Sequence, residues 1–199
     1  MIENPEYFHK AMALFDAANA EDPHQDEGQP KELLYSRRMT GMLGRFAPDA
    51  PEAAQLAIHA QHIRRWTVPR DSYPMNRDGY LAWRTGLYKF HAETTGELMR
   101  EAGYDDAMIE RVQKAVGKRG LKVNADTQLL EDIANLVFIE HYMLAFASGK
   151  PGYDEAKWLD IIRKTWKKMS RAAQDFALSG QLKLPEPLVP LITKAISGE

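Results

Sequence analysis

Apolar residues recur along this chain at three- and four-residue intervals almost throughout, the spacing of amphipathic helices rather than the alternation of strands. In "NPEYFHKAMALFDAANA", Asn4 stands in a capping position and Pro5 at the first helical position, while Phe8, Met12 and Phe15 line one face. "EDPHQDEGQP" has no apolar period and is rich in turn formers, which predicts a surface loop. Tyr35, Met39, Met42 and Phe46 mark a second helix. A third is expected from Pro51 to Trp66, stopped near Pro69 because the residue before a proline disfavours helical geometry. The fourth runs from Asp78 to Ala102 with Gly103 as its stop, and Asp105 caps a fifth that carries Ile109, Val112 and Val116. After the basic loop "GKRGLKVNAD", the segment "TQLLEDIANLVFIEHYMLAFA" is apolar on nearly every side, as a central helix would be. A seventh helix presents Trp158, Ile161, Ile162, Thr165, Trp166 and Met169, and "LKLPEPLVPLITKAISGE" reads as an extended or partly helical surface tail.

The pattern predicts an all-α, single-domain bundle of about seven to eight helices around the apolar segment 129–147. Residues 1–50 would form an N-terminal helical pair, 51–147 the core, and 148–199 the last helix and the proline-rich tail. Composition changes this little. With 44% hydrophobic and 27% charged residues over 199 positions, the chain belongs with folded globular proteins and not with disordered ones. A net charge of -2 supplies no global attraction to nucleic acid, so polyanion binding would need a local basic patch. With no cysteine, thiolate metal sites and cysteine nucleophiles are excluded, and a metal would have to rest on His, Asp and Glu. The most apolar run contains Glu131, Asp132, Glu140 and His141, which are expensive in a bilayer, and "MIENPEYFHKAMALF" has no charged-then-apolar leader. The expectation is a cytoplasmic protein without a membrane partner.

Candidate chemistry gathers on three helices. At about 100° per residue, His59, His62 and Trp66 fall on the same side as Leu56 and Ile63. Tyr80, Arg84, Leu87 and His91 form a stripe on the fourth helix, and Glu131 and Asp132, with Asn135 one turn on, interrupt the sixth. Buried histidines and carboxylates on facing helices are complementary groups. They make either a metal site inside a bundle or a His–Asp and Arg–Glu network that only fixes packing. Arg64, Arg65, Arg70, Arg77 and Arg84 surround the histidines, and guanidinium forks suit phosphate or carboxylate ligands. "KAVGKRGLK" and "RKTWKKMSR" could form an RNA-binding face, although Trp166 is spaced as a core residue. No P-loop, dinucleotide fingerprint or G-x-S-x-G elbow is present.

The early histidines, the histidine that opens "HAETTGELMREAGY" and the aspartate of "LEDIANL" resemble the HD superfamily of helical metal-dependent phosphohydrolases over roughly Pro51 to His141. That resemblance implies His62 or His59, His91 and Asp132 as metal ligands, while the adjacent His-Asp pair is missing, since Ala92 follows His91. "QHIRRWTVPRDSYPMNRDGYLAWR", with "LEDIANLVFIEHY" and "KTWKKMS", is similar to an uncharacterised domain-of-unknown-function family whose members often carry an automatic glutamyl-tRNA synthetase label. That family's pattern points to His62 rather than His59. "HIRR" and "KMSR" resemble the two ATP signatures of class I synthetases, but Arg64 stands where a glycine lets the backbone approach the nucleotide, and no parallel sheet is predicted. A functional aminoacyl-tRNA synthetase is not expected.

The expected function is a divergent HD-like hydrolase of a nucleotide or other small phosphoester. His62, His91 and Asp132 would hold a divalent metal (Mn, Fe, Co or Mg), Glu131 would act as general base or as an acceptor bonded to a ligand, and Arg65, Arg70, Tyr80 and Arg84 would hold the substrate. The alternative is a non-catalytic protein that binds an anionic ligand or RNA, with the His/acid cluster structural.

Overall fold

The computed structural model describes residues 2–197, and among them the architecture is all-helical apart from one minimal hairpin. Ten α-helices follow one another: α1 Pro5–Ala20, α2 Lys31–Phe46, α3 Glu52–His59, α4 Arg77–Ala102, α5 Asp106–Val116, α6 Ala125–Val137, α7 Met143–Ser148, α8 Glu155–Lys168, α9 Arg171–Leu178 and α10 Val189–Ser197. The chain divides into two compact units, residues 1–130 and 131–199.

Local chemistry explains most helix ends. Asn4, Asp105, Asp154 and Ser170 each accept a hydrogen bond from a backbone N–H in the first turn of the helix that follows, which satisfies a donor with no partner inside the helix. α4 closes on Gly103 at φ 109, a left-handed conformation, and the Tyr7 ring lies 3.0 Å from where a Cβ would stand. The loop expected at 21–30 contains the hairpin: β1 (Gln25–Asp26) pairs antiparallel with β2 (Gln29–Pro30). Its turn residues Glu27 and Gly28 both have positive φ, 50 and 73, as a tight two-residue turn requires.

In the first unit α4 and α5 form an antiparallel-type hairpin through Gly103 and pack with α1, α2 and α3. The core holds Phe15, Met39, Leu56, Ile58, Ile63 and Met99, none exposed. A buried carboxylate braces its N-terminal end: Glu52 accepts from the backbone N–H groups of Glu3 and Asn4 and from the Tyr104 hydroxyl. In the second unit α8 packs against α10, with Trp158, Ile162 and Ile192 buried.

Three segments differ from the sequence expectation. The third helix ends at His59 instead of Trp66; residues 60–64 form turns, with a short 3-10 turn at Arg65–Thr67. Arg64 adopts φ 48 while its N–H donates to Asn19 Oδ1 of α1, so a tertiary hydrogen bond stabilises a turn that no glycine or proline announces. The long sixth helix is interrupted by a π-helical turn at Phe138–Tyr142, where one extra residue per turn is accommodated. The seventh stops at Lys168, and Ser170 starts α9, which the sequence reading did not separate.

Candidate functional site

The turn that ends α3 sets the site. Because the chain leaves helical geometry at Ala60, His59 and His62 do not share a helix face and serve different purposes. His59 is buried and bonded at both ring nitrogens, Nδ1 to Thr40 Oγ1 and Nε2 to Asp16 Oδ1, each at 2.7 Å. The bond from His59 holds the Asp16 carboxyl below its ordinary range. This histidine joins three helices.

His62 lies on the turn and meets α2. Its ring stacks on Tyr35 with centroids 4.1 Å apart, and Nδ1 is 3.2 Å from Glu32 Oε2. Arg65 Nη1 donates to His62 Nε2 at 3.0 Å. An arginine has only hydrogens to give, so Nε2 must be the acceptor nitrogen, and in a neutral ring Nδ1 then carries the proton and donates it to Glu32. Burial, followed by the charges of Arg65, Lys118 and Lys31, keeps the ring well below its ordinary pKa, which favours that neutral form. Burial likewise pushes the Glu32 carboxyl up to about 7, against the opposing pull of Arg65 and Lys31. Asp22 adds to that rise, and its Oδ2 accepts from the Glu32 backbone N–H.

His91 arrives from α4, its ring centroid 5.8 Å from that of His62. It is 2% exposed, and among the described residues its Nε2 has no hydrogen-bond partner. Burial lowers its pKa well below the usual value, with His62, Arg65 and Lys118 adding to the effect. An orphaned polar atom at that depth is costly and is a feature to be explained. The cluster therefore combines a carboxyl near neutrality, two neutral imidazoles and a local excess of positive charge.

The remaining predicted residues are placed as follows. Arg65 lies with its guanidinium carbon 5.0 Å from the Trp83 ring centre, so its planar fork is held against an aromatic face. Arg70 donates to the carbonyls of Tyr73, Pro74 and Asn76, which staples the connector 69–76 onto the start of α4. That connector leaves no room beside Gly79, where a Cβ would come within 2.1 Å of Pro74 O. Tyr80 and Arg84 share a face of α4; Arg84 Nε donates to Tyr88 Oη at 2.6 Å and Nη1 reaches Tyr80 Oη at 3.4 Å. Asp132 and Glu131 belong to the second unit. Asp132 Oδ1 accepts the Ser170 N–H at 2.7 Å, and Glu131 Oε1 lies 3.6 Å from Lys168 Nζ and 3.4 Å from Asn135 Nδ2. Among the described residues no group of three or more His, Asp or Glu side chains is disposed as a metal site.

Glu32 was missed by sequence reasoning. It sits in "PKELLYSRR", which looks like an ordinary charged first turn, and only its burial among apolar neighbours could have singled it out. No helix of the described residues is long and apolar enough to cross a membrane.

A family model described as Domain of unknown function (DUF4202) matches residues 9–192, and the chain belongs to that family. No curated protein and no solved structure matches.

Proposed function

We propose that this DUF4202 member binds a small phosphorylated molecule at the Glu32–His62–His91 cluster. The observation that carries the reading is the buried, unpartnered Nε2 of His91, set beside a neutral His62 under the positive charge of Arg65 and Lys118. A desolvated site of that polarity attracts an anion, and the phosphate is offered one guanidinium fork and one open imidazole nitrogen. A nucleotide or other phosphoester satisfies both.

Hydrolysis of that phosphoester is the second reading, favoured by the Glu32 carboxyl at about 7 and its bond to His62 Nδ1. A carboxyl that titrates near neutrality can both take up and release a proton, and Glu32 can take the Nδ1 proton of His62 as the ring's Nε2 takes one from a water that attacks the phosphoester. A divalent ion of the Mn, Fe, Co or Mg class would enter this reading together with the phosphate, with His91 Nε2 then offered to the ion in place of the anion.

Calorimetric titration with inorganic pyrophosphate and with a panel of nucleotides tests the binding reading. A saturable binding component that Arg65→Ala abolishes supports it; no binding at millimolar ligand, or an isotherm that Arg65→Ala leaves wholly unchanged, overturns it. Phosphate release from the bound nucleotide, assayed with each of the four metals, then decides between capture and hydrolysis.

A further inference from the structure

A separate cleft lies in the valley between α4 and α5. It encloses about 560 Å³ and is walled by a stripe at Thr85, Tyr88, Lys89, Ala92 and Glu93 and, from the other helix, by Gln113, Lys114 and Gly117 among its lining. The stripe on α4 is centred roughly 130° around the helix from His91, at about 100° per residue, so the cleft opens on another face.

The valley is open because of small residues. Two packed helices normally fill the groove between them with side chains. Here the facing positions are Ala92 and Gly117, and a Cβ built on Gly117 would be 3.7 Å from the Ala92 methyl carbon. Gln113, which could have swung outward to fill the space, is tied down by its Nε2 donating to Ala92 O at 3.0 Å. The floor is therefore fixed and shallow-sided, and the polar groups stand around its rim.

Those rim groups are mostly donors. Lys89 is paired with Glu93 at 3.7 Å, so that couple is close to neutral. Lys114 and Arg119 also line the cleft, with Glu110 as the one further carboxylate among the described lining residues, leaving one positive charge in excess. Tyr88 adds a directed proton. Its oxygen accepts from Arg84 Nε at 2.6 Å, so its own O–H must point to another acceptor, and a neighbouring guanidinium makes that O–H a stronger donor. Among the described residues no carboxylate lies within ion-pair distance of Arg84, which donates to the hydroxyls of Tyr88 and Tyr80.

We infer that the α4–α5 cleft is a second ligand site, which takes a small molecule through an oxyanion group, phosphate or carboxylate, seated between Lys114, Arg119 and the Tyr88 hydroxyl. Its volume fits a metabolite-sized ligand and not a bare ion, since cavities of several hundred cubic ångströms are those of small-molecule sites. The site is independent of the cluster proposed above and shares no residue with it.

Amide chemical shifts of the full chain, followed during titration with inorganic pyrophosphate and, in a parallel arm, with citrate, test this. The expected result is a saturable set of shifts at residues 85–93 and 113–119, present in Arg65→Ala, with the stronger arm naming the oxyanion. Lys114→Ala with Arg119→Ala should weaken that set by about tenfold or more, with the fold retained because both side chains are exposed. Ala92→Leu, which fills the floor without changing charge, should weaken it as well. No shifts in these two segments with either anion overturn the inference, and so does binding that survives Ala92→Leu in a folded protein, because diffuse surface charge needs no cleft. Absence of pyrophosphate shifts near His62 and His91 in the wild-type protein would instead count against the first site and leave this one standing.

Discussion

His59 and His91 are both nearly sealed from solvent, at 4% and 2% exposure, yet their surroundings are opposites. His59 has a partner on each ring nitrogen, one of them a carboxylate, and ties α1, α2 and α3 together. His91 has an empty Nε2, a second imidazole as neighbour and two cations pressing on it. Burial alone therefore says nothing about purpose. What separates a structural histidine from a candidate functional one is whether its hydrogen-bonding capacity is spent, because an unspent buried group costs stability that only a ligand can return.

The comparison can be broken at its structural end first. Glu52→Ala should be the most damaging change, at about 3 kcal/mol, since it strands the Tyr104 hydroxyl and two backbone donors; urea unfolding measures it, with pyrophosphate binding retained by the folded fraction. Next comes Glu32→Gln, through pH. In the folded chain Glu32 titrates at about 7 against 4.5 unfolded, so between those values the folded state holds the proton that the unfolded state has lost. Stability from this group is therefore greatest below pH 4.5, falls as pH rises, and its penalty is complete above about 7. Relative to wild type, Glu32→Gln should gain about 2 kcal/mol between pH 5 and pH 8, and a flat difference across that range would refute the raised carboxyl.

His59→Ala is expected to cost about 2 kcal/mol by the same unfolding assay, because it leaves Thr40 and Asp16 without their shared partner. His91→Leu should have the smallest effect on stability and the opposite sign, a gain of about 1 kcal/mol, since it removes a polar atom that has no partner among the described residues, while pyrophosphate binding at the cluster is lost. If His91→Leu destabilised the protein as much as His59→Ala, the contrast between the two histidines would collapse. The histidines add a second pH signature. With folded pKa values below the ordinary 6.5, His62 and His91 withhold protons that the unfolded chain accepts, so their share of stability is present above pH 6.5 and declines on acidification.

The expectation of an all-helical chain came through because helix periods, caps and stops are local. Asn4 with Pro5, Asp105 and Gly103 each act within a turn of where they stand, and each does in the structure what its position foretold. The end of α3 was illegible for the converse reason: Asn19, 45 residues away, holds the Arg64 N–H. The π turn at Phe138–Tyr142 leaves no mark in an apolar run that suits either helix type. At the site, His62 and His91 were readable as titratable groups on or beside apolar faces, and Arg65 as one of the arginines around them. Glu32 was not, because its contact with His62 spans 30 residues and its raised pKa comes from burial that only packing creates.

By itself, then, the sequence determined where this chain is helical, where most helices begin and end, and which side chains could carry charge toward an interior. Those properties follow from near-neighbour hydrogen bonding and from the period of apolar positions. Only the tertiary structure decided which of the buried groups are paired. It spent His59 on a three-helix joint, drew Glu32 to His62, left the Nε2 of His91 open and kept the valley beside Ala92 and Gly117 unfilled. Such outcomes depend on distances between segments far apart in the chain, and those distances are set by the packing of whole helices rather than by any one residue's preference.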